Sequence, residues 1–152
     1  MLFGMALQQS TYALSISTFL QTPHFQKEAH AQLFLKTIVR HREQGKYRLH
    51  GFAIMPDHVH LLLTPDLDQG LPKCIQLIKG GYSFAAGKIT NKEIWHSGHH
   101  EHRVRDLADY DNQLRYIANN PPAARLPRDY FYVHTHPEHA AWVDPCPQHF
   151  LE

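Results

Sequence analysis

The 152-residue sequence predicts an α+β fold: a ferredoxin-like split βαβ plan with a four-stranded antiparallel sheet and an added C-terminal tyrosine-bearing helix. Three observations predict it. Apolar periodicity alternates in the order strand, helix, strand, strand, helix, strand, helix. A Pro56-Asp57 turn separates two β-rich runs, which makes them an antiparallel hairpin. Both helical stretches between strands are long enough to serve as crossovers on one face of the sheet.

Each element has its own justification. Residues 12–19 (YALSISTF) are β-rich with partial alternation, and Thr22-Pro23 ends the strand. Residues 27–44 lack Pro and Gly, carry Ala31, Phe34, Leu35 and Ile38 at helical spacing, and stop at Gly45. Residues 47–55 and 58–64 are the hairpin strands, followed by a loop over 65–70. Residues 71–86 place Leu71, Ile75, Ile78 and Tyr82 on one helical face. Gly80-Gly81 inside that helix costs about 1 kcal/mol per glycine, which points to a kink or a close approach. Residues 91–105 form a short strand and a loop around Gly98. Residues 106–119 form the third helix, with Leu107, Tyr110, Leu114 and Ile117 on its face and an acidic first turn that suits its dipole. Pro121-Pro122 is expected to block its continuation. Residues 1–130 are expected to form one domain. Residues 131–152 read as a C-terminal tail, aromatic and His-rich, with a short last element.

Composition bounds the function. With 43% hydrophobic and 19% charged residues and two cysteines, the chain is neither a disordered acidic segment nor a disulfide scaffold. The net charge of +1 hides an asymmetry: residues 1–128 hold all 15 Lys and Arg against 10 acids, and residues 129–152 hold four acids and no Lys or Arg. A +5 body suits a nucleic acid held by shape and a few contacts, and a −4 tail is placed to shield or select its groove. Residues 1–26 carry no charge, but they lack a basic n-region and their apolar run is broken by polar residues, so no secretory leader is expected. No apolar window is long enough for a membrane span. Cys74 and Cys146 fit no metal or redox spacing and read as free thiols of an intracellular chain.

Fourteen histidines invite metal or acid–base chemistry, and spacing has to choose among them. His58 and His60 begin the third strand at i and i+2. Their side chains share one face, about 6–7 Å apart at the backbone, while Val59, Leu61 and Leu63 face the other way. Such a pair can converge on one ion; the alternative is a turn histidine bonded to Asp57 beside an ordinary surface histidine. Tyr116 and Asn120 lie one turn apart on the third helix. A tyrosine can act as a nucleophile on a phosphate polarised by a metal, with an Asn oxygen completing the site; the alternative is a core tyrosine. His96, His99, His100 and His102 read as a surface loop rather than a second metal cluster, and His134, His136 and His139 share the tail. Tyr82, Phe84 and Trp95 are candidates for base stacking or, more simply, for the core.

The run from Phe52 to Leu63 (FAIMPDHVHLLL) resembles the "MPNHVHLL" segment of single-tyrosine HUH transposases, closest to the REP-associated tyrosine transposases and near the insertion-sequence transposases. The resemblance continues through Ile94-Trp95-His96 and residues 101–106 to residues 114–121 (LRYIANNP), which look like that group's "LxYIxxNP" signature. It covers roughly residues 12–130. It implies that His58 and His60 hold a divalent ion, Mg2+ or Mn2+, with Asn120 as third ligand. It further implies that Tyr116 attacks a DNA phosphate to form a 5′-phosphotyrosyl link, and that strands of single-stranded, hairpin-bearing DNA are cleaved and rejoined without ATP. Three departures stand out. Asp57 replaces the usual Asn, residues 121–125 (PPAAR) replace a more basic, Gly-containing stretch, and the first strand lacks the Arg or Lys often found after its Thr or Ser.

Arg40, Arg42, Lys46, Arg48, Lys73, Lys79, Arg103, Arg105 and Arg115 are the candidate DNA contacts. Two other readings stay open: a domesticated DNA-hairpin-binding protein with little or no catalysis, and a small metal-dependent hydrolase on the same scaffold. The resemblance implies a bacterial-type, cytoplasmic, nucleoid-associated protein with no membrane partner, either monomer or homodimer, with the tyrosine serving its own histidines or a partner's.

Overall fold

Alternation along the strands decides which face each helix covers. The structure, a computed structural model, describes residues 9–152; the expectation about a leader falls partly on residues 1–8, outside the described residues. The strands are β1 (Tyr12–Ser17), β2 (Tyr47–Ile54), β3 (His58–Pro65) and β4 (His100–Arg103), all antiparallel in the order β2-β3-β1-β4. Helices α1 (Glu28–Glu43) and α2 (Gly70–Ala85) connect β1 to β2 and β3 to β4, as the split βαβ plan requires. Leu14, Ile16, Leu49, Phe52, Ile54, Val59, Leu61 and Leu63 form the main core with Phe34 and Ile38 of α1 and Ile78 and Tyr82 of α2.

The opposite face is smaller and mixed. Ala53, Met55 and Leu62 meet Tyr110 and Ile117 of α3 (Leu107–Ala123). Beside this patch the same strand positions carry Ser15, His58, His60 and Thr64, so α3 covers a partly polar surface. Asp106 caps α3 by accepting from the Asp109 amide at 2.8 Å.

Several local expectations change. The third helix does not stop before Pro121-Pro122; it runs to Ala123, with Pro121 buried. The fixed φ of proline suits a helix, and what it removes are the two amides that would bond Ile117 and Ala118, a loss confined to the last turn. The expected strand over 91–105 is only His100–Arg103, after Gly98, preceded by a short 3-10 turn at Asn91–Glu93. Gly80-Gly81 is a close approach rather than a kink: a Cβ on Gly81 would sit 2.7 Å from His41 Cε1.

The tail is ordered against the sheet. The Ile54 amide donates to Tyr132 O (2.8 Å) and the His134 amide to Phe52 O (3.0 Å), which closes the outer edge of β2. His139, fully buried, donates from Nε2 to Phe131 O at 2.6 Å. Asp144 accepts from Arg42 Nη2 (2.7 Å), Arg42 Nε (3.1 Å) and the Leu49 amide (2.8 Å). His50 is the extra residue of a β2 bulge. Its Nδ1–H donates to Asp144 O at 3.3 Å, which leaves Nε2 to accept from Thr64 Oγ1 at 2.7 Å; Thr64 in turn accepts from Thr11.

Candidate active site

Strand register and helix placement bring three side chains together. In the β1–β3 pairing His58 lies opposite Ser17 and His60 opposite Ser15, on the face turned toward α3. The two imidazoles are perpendicular with ring centroids 4.8 Å apart. The Tyr116 and His60 rings are perpendicular, centroids 5.6 Å apart at 88°. Tyr116 is 60% exposed, which removes the core reading for it. The tyrosine and the histidines brought together here belong to the same chain. An open cleft of about 310 Å3 lies between β1, β4 and α3, lined by Ser15, His60, His100, His102, Gln113 and Tyr116 among others. The tail contributes nothing to that lining. Its backbone hydrogen bonds to the sheet go to β2, two strands away from β1, while His149 and Phe150 border a neighbouring cleft with Glu101, His102, Arg103 and Arg105.

Each nitrogen of the pair has a distinct environment. His58 Nδ1–H donates to Asp57 Oδ1 at 2.7 Å, which in the neutral ring leaves the lone pair on Nε2. His60 is 7% exposed, and burial, reinforced by neighbouring His58, holds its pKa down at about 4. It is neutral at pH 7. The Asn120 carboxamide beside it supports the protonated form, a smaller effect. That proximity is not a formed hydrogen bond: His60 Nε2 is buried with no partner, and Asn120 Nδ2 donates to Tyr116 O at 3.1 Å. The amide donor is thus committed to the helix, leaving Oδ1 as an acceptor.

These donors fit a divalent cation. A buried, unpaired, neutral imidazole nitrogen needs an explanation, and this one borders an open cleft. His41 Nδ1, His139 Nδ1 and Trp142 Nε1 are also unpaired, but none of them lines that cleft. Among the described residues no three His, Cys, Asp or Glu side chains gather as a metal site, so a third protein donor has to come from another residue type, and the Asn120 amide beside His60 is one such group. Two nitrogens and one amide oxygen suit Mn2+ better than Mg2+, which prefers oxygen.

Some surroundings were not foreseen. His102 Nε2 donates to both Asp109 oxygens (2.9 and 2.8 Å), and Asp109 also accepts from the Arg105 amide (3.0 Å) and Gln113 Nε2 (3.4 Å). This network ties edge strand β4 to the first turns of α3, whose later turn carries Tyr116. Ser15 and Ser17 could have been found by alternation once β1 was paired with β3. The His102–Asp109 pair has no such signal, because it depends on how the helix enters.

The nine candidate basic residues separate. Arg42 is engaged by Asp144. Lys79 is buried, donating to His96 O at 2.9 Å, while Trp95 Nε1 donates to Lys79 O at 3.1 Å. Both cations are thus already engaged by groups of this chain. Arg40, Arg48, Lys73, Arg103, Arg105 and Arg115 are exposed and Lys46 is half-buried. Arg103 lies opposite Tyr12, at the end of β1 away from the histidines, whereas Arg115 precedes Tyr116. Tyr82 and Trp95 are core and Phe84 is 85% exposed. No helix among the described residues is long and apolar enough to cross a membrane.

Known proteins agree with the sequence resemblance. The chain is 27% identical over 91 residues to a REP-associated tyrosine transposase of Escherichia coli (strain K12), a match covering 59% of this chain. It spans about half of that relative's length, 53%. It also superposes on a structure of a REP-associated tyrosine transposase bound to a REP hairpin, with a TM-score of 0.74 and 20% identity. That superposition covers 93% of this chain and 86% of the other and establishes the shared α+β fold. The profile described as "Transposase IS200 like" matches residues 7–120, three quarters of the sequence, and the chain belongs to this transposase family.

Proposed function

We propose that this transposase-family protein cleaves and rejoins single-stranded, hairpin-bearing DNA through a covalent 5′-phosphotyrosine on Tyr116, with His58, His60 and Asn120 holding Mn2+ or Mg2+. One observation carries the reading: an exposed tyrosine stands perpendicular to an unpaired, neutral histidine of an HxH pair at an open cleft. In the cleavage step the Tyr116 Oη–P bond forms and the P–O3′ bond breaks; the phenol loses a proton and the 3′-oxygen gains one. The phosphodiester energy stays in the link, so a 3′-hydroxyl can reverse the step. When bound, the cation polarises the phosphate oxygens.

This chain's residues supply the rest. His60 is kept neutral by burial, so it offers a lone pair instead of competing for a proton. Asn120 orients its oxygen by anchoring its own nitrogen on Tyr116 O. Arg115 is the nearest exposed cation in sequence to the nucleophile. Together with Arg103, Arg105, Arg40, Lys46, Arg48 and Lys73 it supplies phosphate contacts along the body. The hairpin bound in the similar solved structure supports folded single-stranded DNA as the partner. A hydrolase using the same histidines would leave Tyr116 no reason to be exposed at the cleft.

The test is direct. Incubation with a 5′-labelled and a 3′-labelled hairpin oligonucleotide and Mn2+ should give a denaturation-resistant adduct carrying the 3′ label, lost in Tyr116→Phe and on chelation. An adduct that survives in Tyr116→Phe refutes the role of Tyr116. Hairpin binding without an adduct favours the domesticated DNA-binding reading.

A further inference from the structure

Asp57 is a second unusual feature of the histidine pair, and its geometry gives it a task. Its carboxylate accepts from His58 Nδ1 at 2.7 Å, and among the described residues that histidine is its only hydrogen-bond partner. The carboxylate is 41% exposed, yet the backbone beneath it is fixed: Asp57 O accepts from both the Thr18 amide (3.0 Å) and Thr18 Oγ1 (2.9 Å). The side chain thus sits on a rigid turn without holding that turn together.

From these contacts we infer that Asp57 is a positioning residue. It locks His58 as the Nδ1–H tautomer, so that Nε2 is the nitrogen offered to a cation, and adds one negative charge to an otherwise neutral donor set. Two neutral imidazoles and one amide bring no charge to a dication. A carboxylate bonded to the far nitrogen of a ligand imidazole raises its basicity and fixes its ring orientation. The Asn found at this position in the resembled group can accept the same hydrogen bond but carries no charge. His60 has no corresponding partner, so the two histidines are unequal: one is oriented by a carboxylate, the other by burial alone. The inference predicts tighter cation retention than an Asn-bearing site would give.

This rests on the metal reading above, and the experiment separates the two. Mn2+ binding to the full chain is followed by the electron paramagnetic resonance of free Mn2+, for wild type, Asp57→Asn and Asp57→Ala. In parallel, 15N-resolved imidazole NMR on the metal-free protein reports the His58 tautomer. The expected result is an Nδ1–H tautomer in wild type and in Asp57→Asn, and its loss in Asp57→Ala. Affinity for Mn2+ should fall roughly tenfold to a hundredfold in Asp57→Ala and by an intermediate factor in Asp57→Asn. A wild-type His58 protonated at Nε2, or Mn2+ affinity indifferent to position 57, overturns the role of Asp57 alone. No Mn2+ uptake by wild type overturns the metal reading and this role with it. Unchanged far-UV circular dichroism in both variants, expected from the Thr18 bonds, excludes misfolding as the cause.

Discussion

Acidification should destabilise this protein well above the carboxylate range, because burial keeps several histidines from taking a proton. His60 is held at about 4 against an ordinary 6.5. Burial lowers His24 to about 4 and also lowers His41, His50, His134 and His139. A group whose folded pKa is depressed binds protons in the unfolded chain first. Its contribution to stability is therefore full above 6.5 and is lost as pH falls from 6.5 toward 4. At about 1.4 kcal/mol per pH unit, His60 alone withdraws up to roughly 3 kcal/mol across that window. For a domain whose stability is on the order of 5–15 kcal/mol, this is a large share. Urea unfolding in EDTA, followed by tryptophan fluorescence between pH 7.5 and 4.5, measures it. With a urea slope of about 1–3 kcal/mol per molar, the His60 share corresponds to a midpoint shift of up to roughly 1–3 M. Replacing His60 with Gln should make the pH dependence shallower by about one proton near pH 5.5. Parallel wild-type and variant curves, or stability flat between pH 6.5 and 4.5, would refute the argument.

Two other outcomes follow from the same contacts. Asp144→Ala should cost about 2–4 kcal/mol, since it strands a partly buried Arg42 and the Leu49 amide. Partial exposure of Arg42 puts the value toward the lower end, and hydrogen exchange at the Leu49 amide should accelerate markedly. In hairpin binding, Arg42→Ala and Lys79→Met should leave the salt dependence of affinity unchanged while lowering the unfolding midpoint. Arg115→Ala should instead reduce the log–log salt slope by about 1 with the fold intact.

How much of this was legible in the residues depends on distance along the chain. Alternation in the run from His58 to Leu63 separates the histidines from the leucines whatever the surroundings, so the face carrying the pair could be read directly. Amphipathic spacing in α1 and α2, and the Pro56-Asp57 turn, are equally local. Pro121-Pro122 misled because a rule about helix interiors was applied to a last turn, where the missing amides matter least.

Local pattern alone left His58 to His60 and Tyr116 to Asn120 as two separate curiosities, each with an ordinary explanation; their resemblance to known transposases joined them by analogy. Only the tertiary structure put the Tyr116 ring 5.6 Å from that of His60, because helix placement against a sheet is set by side chains far apart in sequence. The same holds for charge. Sequence by itself determined a +5 body and a −4 tail. It could not say that Asp144 of that tail is spent on Arg42 and β2, or that Lys79 is buried with its ammonium bonded to His96 O, since a cation's availability depends on the partner that folding brings to it.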